Sequence, residues 1–228
     1  MRRNEFIRKS LGMIVLTPLM ISSNKDSSGA EETSNCSVTP SETAGPFPTK
    51  NPGSLISTDI RSDRAGVVMA AIITVKSKNN NCAVMAGVIV DIWHCDAGGN
   101  YSEYGGAGMQ DADYKGVHFL RGRQTTDANG QVRFTTIFPG WYPGRAVHIH
   151  VHIFDASGKS LLVTQIAFPA AVCDKVFTTA TDFYKNGKAD TTNERDNVFK
   201  DGFANEMASL SGNVSTRYIL THTIVVNA

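Results

Sequence analysis

Residues 145–154 read RAVHIHVHIF, with a histidine at every second position from His148 to His152. Successive side chains of a β-strand point to opposite faces, so the three histidines would share one face. The isoleucine and valine residues between them would line the other, apolar face. Adjacent histidines would lie about 6.6 Å apart at roughly 3.3 Å per residue, close enough for two imidazoles to bind one metal ion. The segment therefore predicts a half-buried strand with a possible metal-binding face.

Similar runs rich in branched side chains lie on both sides of this strand. They occupy residues 67–75, 84–93, 132–137, 161–168 and 218–226. Turn sequences separate the runs, such as DANG at residues 127–130, where glycine and asparagine tolerate positive φ. Short strands at this spacing predict an all-β chain, folded as an antiparallel β-sandwich with long loops.

One short helix is expected near the C-terminus, at residues 193–210. Phe199, Phe203 and Met207 recur there at four-residue spacing among helix-forming residues. This pattern predicts an amphipathic helix that packs on the core.

The first 35 residues differ from the rest in composition. A basic region precedes an apolar stretch at residues 11–21, which is the outline of an export signal over residues 1–22. The pair Arg2-Arg3 is compatible with the export route for folded proteins. Residues 23–35 are polar and predict a flexible leader, so residues 36–228 would form the β-sandwich domain. A disordered basic tail is the alternative reading of the first segment.

Charge and hydropathy exclude several classes of function. The 228 residues are 41% apolar, which suits one domain with a core. Residues 1–22 carry four basic residues and one acidic residue, so their removal changes the net charge from +1 to −2. Basic residues do not cluster, which disfavours a nucleic-acid surface. No apolar run reaches about 18 residues, so we predict no permanent membrane span. The export signal predicts a periplasmic or extracellular protein.

The four cysteines are Cys36, Cys82, Cys95 and Cys173. An even number behind an export signal predicts two disulfides, but the sequence does not choose among the three pairings. No C-x-x-C pair occurs, which disfavours a zinc ribbon or a thioredoxin-type site.

Two tyrosines lie in rigid loops near the histidine strand. Tyr142 is six residues before His148, within FPGWYPG at residues 138–144, where prolines and glycines fix a tight turn. Tyr101 ends DIWHCDAGGNY at residues 91–101, after a buried strand and a glycine turn. Both tyrosines would thus lie at the rim of the sandwich, where scaffolds usually carry their sites.

Five segments, in this order along the chain, resemble the intradiol ring-cleavage dioxygenases, the family of protocatechuate- and catechol-cleaving enzymes. They lie at Val90–Tyr101, Asp127–Gly130, Pro139–Tyr142, Arg145–His150 and Thr164–Phe168. ETAGPF at residues 42–47 also resembles an early element of that family, so the resemblance runs from about residue 36 to 228. It implies the family's β-sandwich core and a non-haem Fe(III) cofactor. The four iron ligands that it implies are Tyr101, Tyr142, His148 and His150.

The resemblance also implies roles for the neighbouring side chains. Tyr142 would leave the iron when the substrate binds and accept a catechol proton. Arg145 would stabilise the developing negative charge, and Gln165 would position His150 or the substrate. Two phenolates and two imidazoles suit Fe(III) better than Zn(II) or Cu(I). The implied reaction uses O2 to cleave a catechol-type ring between its two hydroxyl-bearing carbons, giving a muconate-type dicarboxylate.

Two other functions remain open from the residues alone. A copper enzyme or an Fe(II) oxygenase with two histidines and one carboxylate would use Asp91, Asp96 or Asp155 as its third ligand. A non-catalytic β-sandwich binding module would use Trp93 and Trp141 as stacking platforms. The identity of the catechol and the oligomeric state are left open, because the connection between Tyr142 and His148 is short.

Overall fold

The strands expected from the sequence dominate the computed structural model, which describes residues 36–106 and 108–228. The predicted export signal and leader, residues 1–35, lie outside the described residues. The strands are β1 (Val68–Ser77), β2 (Ile89–Trp93), β3 (Arg121–Thr125), β4 (Gln131–Ile137), β5 (His148–Phe154), β6 (Ser160–Ala167), β7 (Ser209–Asn213) and β8 (Arg217–Val226). The helical segments are α1 (Ala170–Thr179) and two 3-10 turns, Pro52–Ser54 and Asn193–Arg195. None of the described helices is long and apolar enough to cross a membrane.

The strands form two four-stranded sheets. One sheet has the order β4-β1-β8-β7 and the other has the order β3-β2-β5-β6. The pairs between neighbouring strands are antiparallel, except that β1 and β8 run parallel. The predicted all-β sandwich class is confirmed.

The core lies between the two sheets and follows the alternation of their strands. Every second residue of β1 is buried, from Met69 to Val75. These side chains belong to the same apolar cluster as Val90 and Ile92 of β2 and Ile149 to Ile153 of β5. Burying a side chain of this size contributes about 1.5–3 kcal/mol to folding. The predicted apolar face of the histidine strand therefore packs against the other sheet, and its histidines point away from the core.

The prediction of a helix at residues 193–210 is wrong. A 3-10 turn, further turns and the first residues of β7 occupy this segment, and α1 lies earlier in the chain. Gly202 has a φ of +108°, which a continuous helix does not allow. Phe199, Phe203 and Met207 still pack together against Ala146 and Ala167, so their spacing reports burial rather than helix.

The strand β3 was not predicted, because its sequence RGRQT has no apolar alternation. Gly122 faces the core, and a Cβ at this position would lie 2.5 Å from Ile60 Cγ2 and 3.0 Å from Phe134 Cε1. The missing side chain therefore allows the core residues to approach the β3 backbone.

The prediction of two disulfides is half wrong. Cys36 and Cys82 form a disulfide, whereas Cys95 and Cys173 are free and buried. Cys95 lies after β2 in an aromatic cluster and Cys173 lies on α1 in the main core, so the two thiols are packed in separate places. They act as small apolar side chains.

Residues 39–47 form an extended segment, the N-terminal strap, which runs along the edge of the sandwich. Thr39 N–H donates to Val225 O at 3.0 Å, and Glu42 N–H donates to Val163 O at 2.8 Å. The strap therefore contacts β8 first and then β6, before it reaches the outer face of the β3-β2-β5-β6 sheet.

Candidate active site

One row of polar and aromatic side chains crosses the outer face of the β3-β2-β5-β6 sheet. Strand register aligns Arg121 with Trp93, Trp93 with His150, and His150 with Gln165. All four side chains are at most 2% exposed, although they face away from the core between the sheets. Loops and the N-terminal strap cover this face, so the row lies in a second, polar interior.

His148 and His150 converge within this interior. Their Nε2 atoms are 3.2 Å apart, and His148 Nδ1 donates to Ala146 O at 2.6 Å. That hydrogen bond fixes the His148 tautomer and leaves an Nε2 lone pair directed towards the centre of the site. Burial, reinforced by the charge of Arg145, lowers the pKa of His148 to about 3, so its imidazole is neutral. Burial also lowers the pKa of His150 well below its ordinary value.

Trp93 holds His150 from one side. The two rings stack with centroids 4.9 Å apart and planes 5° apart. Gly45 of the strap closes the other side, where a Cβ would lie 2.9 Å from His150 Cε1. His150 therefore lies between an indole and a backbone segment, in a fixed orientation.

Tyr101 reaches the same point from the loop after β2. Its Oη lies 3.4 Å from His148 Nε2, and its ring lies 5.7 Å from the ring of Tyr142. Gln110 holds the Tyr101 backbone through both its N–H and its carbonyl. Gly99, with a φ of +87°, lets this loop approach the Trp141 carbonyl, which a Cβ would meet at 2.2 Å. The glycine turn therefore brings the two tyrosine loops together.

Tyr142 and Arg145 form the opposite wall. One Arg145 amino group donates to Tyr142 Oη at 3.5 Å, and the other donates to Gln165 Oε1 at 2.6 Å. Asp196 is fully buried and accepts from Arg145 Nε at 2.9 Å. The guanidinium is thus held between two partners, with one edge directed at the phenol.

Burial raises the pKa values of both phenols. The pKa of Tyr101 is raised well above its ordinary value by burial and by the proximity of Tyr142. Burial also raises the pKa of Tyr142, although Arg145 opposes that effect. Two buried phenols ionise only with a strong positive charge beside them, which is what a bound metal cation supplies.

Gln165, which was predicted to position His150 or the substrate, makes two side-chain hydrogen bonds. It is paired with His150 in register, but its side-chain amide donates to Thr43 O at 2.9 Å and accepts from Arg145. Gln165 therefore connects the arginine to the N-terminal strap rather than bonding to the histidine.

The carboxylates considered as alternative metal ligands are all engaged elsewhere. Asp91 pairs with Arg123 at 2.6 Å, Asp96 accepts from its own glycine turn, and Asp155 accepts within the β5–β6 hairpin. Within residues 36–106 and 108–228, no group of three His, Cys, Asp or Glu side chains has metal-binding geometry. His152 is not part of the site, because its Nε2 forms a hydrogen bond with Ser160 Oγ.

The donor set at this point fits a hard trivalent cation. Two nitrogens that each lie about 2.1 Å from one ion are at most about 4.2 Å apart, and the observed 3.2 Å satisfies this limit. Phenolate oxygens and neutral imidazoles together favour ferric iron over soft metals. The residues present therefore fit the iron that the resemblance implies.

Several supporting residues were missed in the sequence. Phe47 stacks on Tyr101 with centroids 4.8 Å apart, and Asp196 holds Arg145. Arg121 donates to Ser102 and to Phe47 O, which fixes the strap beside Tyr101. Only the register of β2, β3 and β5 relates Arg121 to His150, and β3 had no recognisable strand pattern.

A cavity of about 400 Å³ opens beside Tyr142 and Arg145. The side chains of Pro46, Met109, Pro143 and Val198 contribute to its walls. A small organic molecule that enters here reaches Tyr142 and Arg145.

Comparisons with known proteins find dioxygenases. A family model described as dioxygenase matches residues 50–199. The protocatechuate 3,4-dioxygenase beta chain of Burkholderia cepacia is 38% identical over 88 residues, which span 36% of this chain and 37% of that one. An intradiol ring-cleavage dioxygenase from Tetranychus urticae has a TM-score of 0.74 at 28% identity, over 84% of this chain and 95% of that one.

A bacterial structure is similar over almost its whole length. It is the dioxygenase domain of a dioxygenase and carbohydrate-binding protein fusion from Streptomyces sp. SirexAA-E. The identity is 26% and the TM-score is 0.60, over 84% of this chain and 99% of that domain.

Proposed function

The chain belongs to the intradiol ring-cleavage dioxygenase family of oxidoreductases, and from this we propose that it is a non-haem Fe(III)-dependent dioxygenase. Its substrates are a catechol-type molecule and O2. The ring opens between the two hydroxyl-bearing carbons, and both oxygen atoms enter a muconate-type dicarboxylate product.

One observation carries this proposal: the Tyr101 oxygen and two imidazole nitrogens approach one buried point, and the Tyr142 ring packs against both Tyr101 and His148. Tyr101, Tyr142, His148 and His150 would be the ligands. Bound ferric iron supplies a Lewis acid that withdraws electron density from a catecholate.

His148 and His150 supply neutral nitrogen ligands. The Ala146 carbonyl orients His148, and Trp93 and Gly45 orient His150, so neither ring needs to reorganise. Tyr101 is packed between Phe47 and the site, and is the more fully buried tyrosine, at 0% exposure against 8% for Tyr142. Tyr101 is therefore the tyrosine suited to remain in place.

Tyr142 lies beside the cavity and is suited to handle a proton. Its phenolate oxygen accepts the proton of an incoming catechol hydroxyl and becomes a neutral phenol. Arg145 donates towards that oxygen, which stabilises the phenolate before the transfer. The same guanidinium stabilises negative charge that develops on the substrate, with Gln165 and Asp196 fixing its position.

Export is part of the proposal. The basic and apolar pattern of residues 1–22 supports it, as does the Cys36–Cys82 disulfide, because disulfides persist in oxidising compartments.

The visible absorption spectrum of the iron-loaded protein tests the proposed site. We expect a broad tyrosinate-to-iron charge-transfer band that moves to longer wavelength when a catechol is added without oxygen. Tyr142→Phe should alter that band and abolish ring cleavage. A colourless protein with stoichiometric ferrous iron or copper would replace the proposal with another metal enzyme, and a protein that binds no metal would indicate a binding module.

A further inference from the structure

The walls of the cavity beside Tyr142 indicate which substituents a substrate can have, provided that the function proposed above holds. We propose that this cavity selects catechols with an uncharged, apolar substituent over catechols with a carboxylate. The inference rests on the charges and the walls that an incoming molecule meets.

Arg145 is the one cation among the described residues that line the cavity. Its Nε is taken by Asp196 at 2.9 Å, and one amino group is taken by Gln165 at 2.6 Å. The other amino group faces Tyr142 Oη. All three nitrogens of the guanidinium thus already have a partner, and the ion pair with Asp196 offsets the charge that a substrate carboxylate would meet.

Negative charge adjoins the cavity on two sides. The Asp196 carboxylate is fully buried behind Arg145 and offsets its charge. Asp190 accepts a hydrogen bond from the backbone N–H of Gly144, a residue of the cavity wall. A carboxylate on the substrate would meet this negative charge, and the one cation in the wall is already paired with Asp196.

The remaining walls suit an apolar substituent. Pro46, Pro143, Met109 and Val198 present hydrocarbon or thioether surface. A volume of about 400 Å³ lies within the range of about 300–1,000 Å³ that holds small organic ligands, so it leaves room beyond a bare catechol ring. Met109 is 68% exposed and can adapt to the substituent.

Anaerobic titration of the iron-loaded protein tests this selectivity independently of turnover. The probes are 4-tert-butylcatechol and 3,4-dihydroxybenzoate, followed by the change in the visible band. We expect 4-tert-butylcatechol to bind at least about tenfold more tightly, since its butyl group gains apolar contact with the walls and the carboxylate of the other probe does not. Equal or tighter binding of 3,4-dihydroxybenzoate would overturn the inference but leave the dioxygenase function standing. If neither probe changes the spectrum, and neither is cleaved once O2 is admitted, the proposed function itself fails.

Substitution of Val198 tests whether 3,4-dihydroxybenzoate binds weakly because the cavity lacks a free cation. Val198→Lys should tighten 3,4-dihydroxybenzoate by roughly fivefold, the size of an exposed ion pair, without tightening 4-tert-butylcatechol. Val198→Met is the control, because it has a similar length and no charge, and it should leave the ratio near that of the unmodified protein. A similar change in both variants would assign the effect to shape.

Met109→Lys provides the same test at an exposed position. Its side chain is largely outside the packed interior, so the substitution does not depend on repacking the core. The same gain for 3,4-dihydroxybenzoate is expected, and Met109→Gln is its uncharged control. No gain in either lysine variant would overturn the electrostatic argument.

Discussion

The two sheets of the sandwich follow the same alternation, but their outer faces differ. On the β4-β1-β8-β7 sheet, outward residues of β8 such as Thr221 and Thr223 are exposed, as usual for one face of an antiparallel sheet. On the β3-β2-β5-β6 sheet, the outward row from Arg121 to Gln165 is almost completely buried. Burying polar groups is costly unless they are paired. A buried polar face such as this one is therefore expected at a functional site rather than in a purely structural sheet.

Removal of a histidine from the covered face should have the largest effect. We expect His148→Ala to abolish iron binding and ring cleavage, because it deletes one of two nitrogens that share the centre of the site. Iron content and oxygen uptake measure this loss. Thr223→Ala, on the open face, should change neither, and full iron content in His148→Ala would remove this residue from the metal site.

Arg145→Ala should retain iron but reduce kcat by about 10²–10³-fold, since a preorganised charge is lost from the reacting centre. Arg123→Ala is the matched control. Arg123 lies on β3 of the covered sheet and, like Arg145, pairs with an aspartate, Asp91, but it is two residues along the strand from the row that contains Arg121. Equal losses in both variants would show that the ion pairs act through stability alone.

Gly45→Ala tests whether the strap positions the His150 imidazole. Gly45 has a φ of +68°, and the added Cβ would lie 2.9 Å from the ring, so we expect iron affinity to fall about 10–100-fold. Gly158→Ala shares the positive φ, at +87°, but meets nothing within 4 Å. It should cost stability of about 1 kcal/mol without affecting iron, and a similar loss of iron in both variants would contradict the contact argument.

A buried pair of carboxyl groups predicts a pH effect at the edge of the covered face. Burial raises the pKa of Glu206 to about 8 and that of Glu42, on the strap, to about 7. Each has a buried carboxylate oxygen without a hydrogen-bond partner, Glu206 Oε2 and Glu42 Oε1. Thr164 Oγ1 donates to the other Glu206 oxygen at 3.1 Å, and Asp201 adds negative charge to both groups.

These raised pKa values favour the protonated acids in the folded state. The stability that the two protonated acids add to the folded state is fully present below about pH 4.5. It is lost as the pH rises through their folded-state pKa values, about 7–8. We expect Glu206→Gln to reduce that loss, so that it is more stable than the unmodified protein by about 1–2 kcal/mol at pH 9. Chemical denaturation at pH 5 and pH 9 measures the difference, and parallel pH profiles for the two proteins would contradict it.

The sequence predicted most of the sandwich because its strands carry strong alternation. All six predicted strand segments contain a strand, and the histidine face was assigned correctly. The strands β3 and β7 were missed because RGRQT and SLSGN lack apolar periodicity. The false helix at residues 193–210 arose because three aromatic or apolar residues at four-residue spacing can also be buried by successive turns.

The candidate site was partly accessible from the sequence. The motifs named the two tyrosines, the two histidines and Arg145, which the structure brings together. Their supports were not accessible, because Asp196 and Phe47 are distant in sequence from the residues that they hold. The hydrogen bonds of Gln165 were not accessible either: register places it beside His150, but its amide bonds to Arg145 and the strap, and its positioning role stays a prediction.

The parallel pairing of β1 with β8 has a consequence for the order of synthesis and metal loading. The strands that carry the site lie between residues 89 and 167 and pair with one another, but the other sheet needs β8 beside β1. Met69 pairs with Tyr218, so this contact forms only after the intervening residues have been made. Non-local pairing of this kind slows folding. A ribosome-bound chain that ends before β8 would therefore carry every proposed ligand but lack the β1–β8 pairing of the opposing sheet, and we expect metal capture to follow synthesis of β8.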